Sequence, residues 1–270
     1  MALPTLEIDP PFDPHPIGLA DLRSIAGAAS IALEVGPGPV LTTQGCDAAP
    51  GGGADTLHGG LRCYRCTLAS LDPIPGEPLH RLEVPLRTLA TTLLAYPHSF
   101  LRVANIERIA LCGKLASDHL LDDDQRVAGL AESASRRLMV SVETDHADRS
   151  TATLHHEIFH LFDHATVPGG DHDRDPEWER LNPRTFRYDP KAPSGVEAGF
   201  INDYAKTAIR EDKASVFEHL MGYPDELCAR AVDDPLLMGK VRILLARIEA
   251  AVPQGLGEFA RRRAPCLANH

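Results

Sequence analysis

Apolar residues recur at helical spacing through Leu154, Ile158, Leu161 and Phe162, with Phe159 beside them. This predicts a helix, opened by N-cap candidates in Thr151-Ala152-Thr153. Just upstream, Arg137 to Glu143 reads as a short β-strand ended by the polar stretch Thr144 to Ser150. It is expected at a sheet edge, where its main chain could hold an extended peptide. Ser30 to Val35 and Ile106 to Leu115 read as further strands, the latter with Ile109 and Leu111 on its buried side. Leu86, Leu89, Leu93 and Leu94 mark a helix that Pro97 closes. Ile209, Val216, Phe217 and Leu220 form the stripe of a helix over Tyr204 to Glu218, and Val232 to Ala251 is a last amphipathic helix. The pattern predicts an α+β fold: a small mixed or antiparallel sheet packed on the 151–162 helix, then a mainly helical C-terminal part. Residues 1–75 are rich in Pro and Gly, with Gly51-Gly52-Gly53 in a linker-like stretch. They read as a loop-rich extension or small lobe before a main domain over 76–270.

The predicted helix carries His156-Glu157-Ile158-Phe159-His160. Two His at i and i+4 lie on one helical face, so both imidazoles can reach a single Zn²⁺, with the Glu between them poised as general base. A catalytic zinc needs a third protein ligand and an open position. The places that hold Gly and a third His in the metzincin pattern are occupied here by Asp163 and Thr166. A carboxylate from the later helix is the remaining solution. Glu211, Ser215 and Glu218 share one face there, and Glu211 can point at the metal with Ser215 or Glu218 behind it. Glu218 competes for the ligand position, and Asp212 competes more weakly.

At these residues the chain resembles the zincin-like metallopeptidases of the gluzincin branch, in particular bacterial zinc-binding metallopeptidases and, more distantly, the catalytic domain of anthrax lethal factor. The resemblance runs over roughly residues 80–225. It rests on His156 to His160, on Trp178-Glu179-Arg180-Leu181-Asn182-Pro183 with Phe186 and Tyr188, on Gly199 to Ala205, and on Glu211-Asp212-Lys213-Ala214. It implies a zincin-like fold and peptide-bond hydrolysis with one Zn²⁺ per chain. It also favours Glu211 as third ligand, with Tyr204, seven residues earlier, supporting the oxyanion. Lethal factor-like enzymes carry a second acid four residues after the ligand Glu, where this chain has Ser215, which leaves Glu218 as the substitute.

The remaining polar residues take lesser roles. Asp163 is a candidate to orient an imidazole; His155 reads as a packing residue, and His164 as stacking behind the site. Pro168 to Asp175 reads as an exposed loop tip, and Trp178, Phe186 and Tyr188 are expected to pack the 163–201 loop down as one wall of the cleft. Asp122-Asp123-Asp124 reads as a solvated turn and Arg261-Arg262-Arg263 as a solvated helix end.

With 43% hydrophobic and 24% charged residues in 270, the chain has an ordinary globular composition. Its net charge of -11 speaks against a nucleic-acid backbone or an anionic membrane as partner and says little about a peptide or protein substrate, which the resemblance implies. The first ten residues show no basic or apolar leader segment, so a cytoplasmic location is expected. Six Cys are too sparse for a disulfide scaffold; Cys63 and Cys66 are expected as unpaired thiols, and Cys112, Cys228 and Cys266 have no evident partner. Two other readings of the zinc site stay open: hydrolysis of one dedicated peptide or a non-peptide amide, and a catalytically silent, zinc-stabilised binding protein.

Overall fold

A computed structural model describes residues 18–36, 38, 40–43, 64–70, 80–117, 128–142, 147–167, 171–192, 194–252, 256–257, 260 and 264–267. The expected features at Gly51–Gly53, Cys63, Asp122–Asp124, Pro168–Gly170 and Arg261–Arg263 lie outside these residues, as does the N-terminal segment.

A fully buried strand lies inside the sheet, next to its edge. Arg137–Ser141 (β6) is buried at every position, the signature of a strand covered on both faces. It runs parallel to Arg108–Ser117 (β4) and antiparallel to Gly129–Glu132 (β5). On the other edge of β4, Ala32–Glu34 (β1) pairs parallel with its opening residues. Further along that edge, Tyr64–Leu68 (β3) pairs antiparallel and carries Leu41–Thr42 (β2) outside it. Among the described residues the sheet is six-stranded, in the order β2-β3-β4-β6-β5 with β1 beside β4. The expected edge strand at 137–143 is therefore corrected. An apolar run loses most free energy when left half exposed, so it sits inside, and the small-residue strand Gly129-Leu130-Ala131-Glu132 takes the edge.

Alternation along β4 divides the core. Ile109 and Leu111 face the helices together with Leu138 and Val140, while Ala110, Cys112 and Leu115 join Met139 and Cys66 on the opposite face. Cys66 and Cys112 form a disulfide between β3 and β4. A second disulfide, Cys228–Cys266, ties helix Pro224–Ala231 (α7) to the turn at Pro265–Leu267. The thiol expected at Cys66 is thus paired: its partner lies 46 residues away, and only the β3–β4 register brings the two together.

The helical face is built from Leu19–Ala28 (α1), His80–Leu94 (α2), His98–Val103 (α3) and the motif helix Ala147–Thr166 (α4). Leu154, Ile158, Leu161 and Phe162 of α4 are all buried. After the short helix Pro176–Glu179 (α5), α6 spans Ile209–Gly222 and α8 spans Pro235–Ala251. Aromatic stacking fixes α6 against α4. Phe159 lies 4.9 Å from Phe217 of α6, and Phe100 of α3 lies 4.6 Å from Phe162. Each such pair adds roughly 0.5–1.5 kcal/mol beyond its buried area.

Two expected helices start later than their sequence stripes suggest. Ala208 adopts an extended conformation, so Tyr204–Lys206 is a separate 3-10 turn and α6 begins at Ile209. At the last helix, Asp234 caps the N-terminus by accepting from the amides of Leu236 and Leu237, with Pro235 in the first helical position. Val232 is left outside, 68% exposed. No helix among the described residues is long and apolar enough to cross a membrane.

Candidate metal centre

Helical spacing puts His156 and His160 on one face of α4, their ring centroids 4.7 Å apart. The stacked aromatics hold that face against the first turn of α6. There the Glu211 Oε2 atom lies 3.0 Å from His156 Nε2 and 3.2 Å from His160 Nε2. One donor atom from each of these residues lies within 4.8 Å of the others. Bonds of 2.0–2.1 Å at tetrahedral angles would space the ligands of a zinc ion about 3.3 Å apart, so the set fits Zn²⁺. Its chemistry fits as well: two imidazoles and a carboxylate, with His156 and Glu211 buried, leave room for one further ligand.

The facing imidazoles and carboxylates shift one another strongly. Burial alone would lower the pKa of His156, but Glu211 and Glu218 push it up to about 10. Burial alone would raise Glu211, yet the two facing imidazoles hold it well below the usual carboxylate range.

Glu218 stands on the other side of His156, its Oε2 atom 3.0 Å from Nδ1. Geometry thus separates the two acids that helical periodicity leaves in competition. Glu211 meets the inner nitrogens of both imidazoles; Glu218 backs one of them, the usual arrangement for fixing tautomer and ring orientation. Ser215 is buried one turn after Glu211, and its carbonyl accepts from His219 Nδ1 at 2.8 Å.

Glu157 lies between the two His on α4 and accepts from the Ala131 amide of β5 at 2.8 Å. Burial raises its pKa, against the pull of His160, His156 and the amide. Tyr204 is brought to the site by its 3-10 turn, with its ring 5.7 Å from that of His156. It stays 55% exposed, while shielding of its hydroxyl and the nearby Glu211 and Glu157 carboxylates push its pKa up.

Other candidates are placed elsewhere. Asp163 pairs with Lys213 Nζ at 2.5 Å, tying α4 to α6 rather than orienting an imidazole. Asp212 points away from the metal ligands into a buried cluster, accepting from Trp178 Nε1 at 2.8 Å, Tyr188 at 2.8 Å and Lys240 Nζ at 2.6 Å. Trp178 and Tyr188 therefore pack the long loop against the back of α6, not as a wall of the cleft. His155 is buried against Tyr96, 2.5 Å from its hydroxyl, and His164 meets His172 at 3.4 Å beyond the site.

Sequence reading missed Arg210, which contacts Glu211 Oε1 at 3.1 Å and both oxygens of Asp173 at 2.8 and 3.0 Å. It also missed the roles of Lys213 and Lys240. The available signal was Arg210-Glu211-Asp212-Lys213, four charged residues in a row on a helix with an apolar stripe, which cannot all face solvent.

The fold that brings His156, His160 and Glu211 together has a counterpart among solved structures. The chain's structure aligns with the crystal structure of a "putative zinc-binding metallo-peptidase" from Bacteroides caccae at a TM-score of 0.50, over 92% of this chain and 91% of that one. The two sequences are 14% identical, so the likeness is one of fold. By sequence, no family model and no curated protein matches.

Proposed function

We propose that this chain is a zinc-dependent metallopeptidase in which His156, His160 and Glu211 hold one Zn²⁺ and Glu157 serves as general base. The observation that carries this reading is the meeting of three ligand atoms from α4 and α6 beside that glutamate. Bound there, zinc would act as a Lewis acid and make a water acidic enough to ionise near neutral pH.

The chain's own groups supply the rest. Glu157 takes a proton from the attacking water at Oε1, since Ala131 holds Oε2, and returns it to the departing amine nitrogen. Its raised pKa suits a group that must both take and give that proton. Glu218 keeps the His156 Nδ1 proton in place, leaving the Nε2 lone pair for the metal. Tyr204, kept protonated by its raised pKa, donates to the carbonyl oxygen as charge develops. An extended peptide would lie along the open side of β5. The two disulfides favour an oxidising surrounding over the cytoplasm expected from the N-terminal residues.

Zinc analysis and cleavage of a degenerate peptide library by Glu157→Gln test the assignment. One zinc per chain should remain while turnover falls about 10²–10⁴-fold. Undiminished cleavage would remove Glu157 as base. A zinc-loaded wild type that cleaves no peptide in the library would favour a dedicated substrate or a silent binding protein.

A further inference from the structure

We infer that Gly129 is a positioning residue for Glu157: an absent side chain at this point of β5, with the outward amide of Ala131, sets where the carboxylate stands. The inference rests on the reading of Glu157 as general base.

It starts from the register of the edge. Ser141 N donates to Ala128 O at 3.0 Å, and Gly129 stands opposite Val140. Hydrogen-bonded and non-bonded pairs alternate along an antiparallel ladder, so residues 129 and 131 turn their N–H and C=O groups to the open side. The outward amide of Ala131 does not face solvent alone; it donates to Glu157 Oε2 at 2.8 Å. The acid on α4 thus reaches up to the sheet edge and is held there by main chain.

To reach it, the side chain must pass Gly129. A Cβ at this position would stand 3.2 Å from Glu157 Cγ and 3.7 Å from Thr153 Cγ2 of the preceding turn of α4, with Met139 O at 3.6 Å. The closest of these contacts is tighter than ordinary packing allows, and the atom nearest to it belongs to the proposed base. Any side chain at 129 therefore moves Glu157 by a few tenths of an ångström before it disturbs the sheet. Pairing with β6 needs no glycine here, and the backbone is not left-handed, so the demand for glycine comes from Glu157. The amide and the gap act together: one fixes Oε2, the other clears the path that leaves Oε1 for proton transfer.

The test uses the zinc-loaded protein and the variants Gly129→Ala, Gly129→Val and Glu157→Ala. Exchange of the Ala131 amide proton, followed by NMR, reads the hydrogen bond without reference to turnover. It should be slow in the wild type, at least about tenfold faster in Glu157→Ala, and intermediate in Gly129→Ala. A misplacement of 1 Å can cost about 10²-fold in rate, so kcat should fall about tenfold in Gly129→Ala and further in Gly129→Val. KM, zinc content and melting temperature should hold in Gly129→Ala. Equal amide exchange in the wild type and Glu157→Ala overturns the proposal, as does an unchanged kcat in Gly129→Ala. Should the wild type cleave no peptide, the exchange experiment still decides whether the edge holds the carboxylate. If Gly129→Val does not fold, the alanine variant carries the test.

Discussion

Glu211 and Asp212 are joined by one peptide bond, yet they belong to opposite regions of the molecule. On the front of α6, Glu211 meets two imidazole nitrogens, groups that can themselves bind a metal. On the back, Asp212 meets an indole, a phenol and an ammonium group, three donors that all converge on its Oδ2 atom. Burial is severe there: it pushes Asp212 up and Lys240 down although each partner pulls the other toward its charged form. The difference teaches that a buried carboxylate is identified by what faces it. Facing three donors, Asp212 ties elements of the fold together; facing two imidazole nitrogens, Glu211 stands where a metal ligand would.

The largest expected effect is at the back. Asp212→Ala leaves Lys240 buried with the Gly199 carbonyl but no carboxylate against it, which should cost about 3–5 kcal/mol in denaturant unfolding of the metal-free protein. Adding Lys240→Met should recover much of that loss. A small loss in Asp212→Ala would mean that water or another group solvates Lys240. At the front, Glu211→Ala should lower metal-free stability too, because it removes the carboxylate paired with His156 and His160, and it should abolish the gain from zinc, about 4 kcal/mol in the wild type at 1,000 times Kd. A variant still stabilised by zinc would move the ligand role to Glu218.

Glu218→Gln sharpens the contrast within the front itself. Behind an imidazole rather than on the metal, it should weaken zinc binding about 10–100-fold in a competition titration, without abolishing it. The smallest effect is at Asp175, behind α6, which caps α5 and pairs with Arg247 of α8. Burial would raise its carboxyl, but Arg247 and the Trp178 amide hold it below the usual range. A depressed carboxyl stabilises the fold above its unfolded pKa of about 3.9, and that contribution fades as pH falls through the lower folded value. The stability gap between wild type and Asp175→Asn should therefore narrow below about pH 4, as urea titrations at several pH values would show.

Helical and strand periodicity made β1, β4, β6, α2, α4, α6 and α8 legible, because burial of one face leaves a regular imprint on the chain. The imprint ends where backbone geometry interrupts it, as at Ala208, whose extended conformation parts Tyr204 from α6. It is also silent on neighbours. Arg137 to Ser141 reads as a strand from its residues alone, but its place between β4 and β5 depends on partners it does not name. Cys66 and Cys112 illustrate the same limit, as nothing in either segment specifies the other.

His156, Glu157 and His160 were determined by the sequence itself, since three residues within five on a helix have their relative positions set by the helical repeat. The choice among Glu211, Asp212 and Glu218 belonged to the tertiary structure. That choice depends on how α6 is rotated about its axis, and the rotation is set by Phe159, Phe162 and Phe217 in front and by Trp178, Tyr188 and Lys240 behind. A helix carries its side chains at fixed angles, but only packing decides which way those angles point.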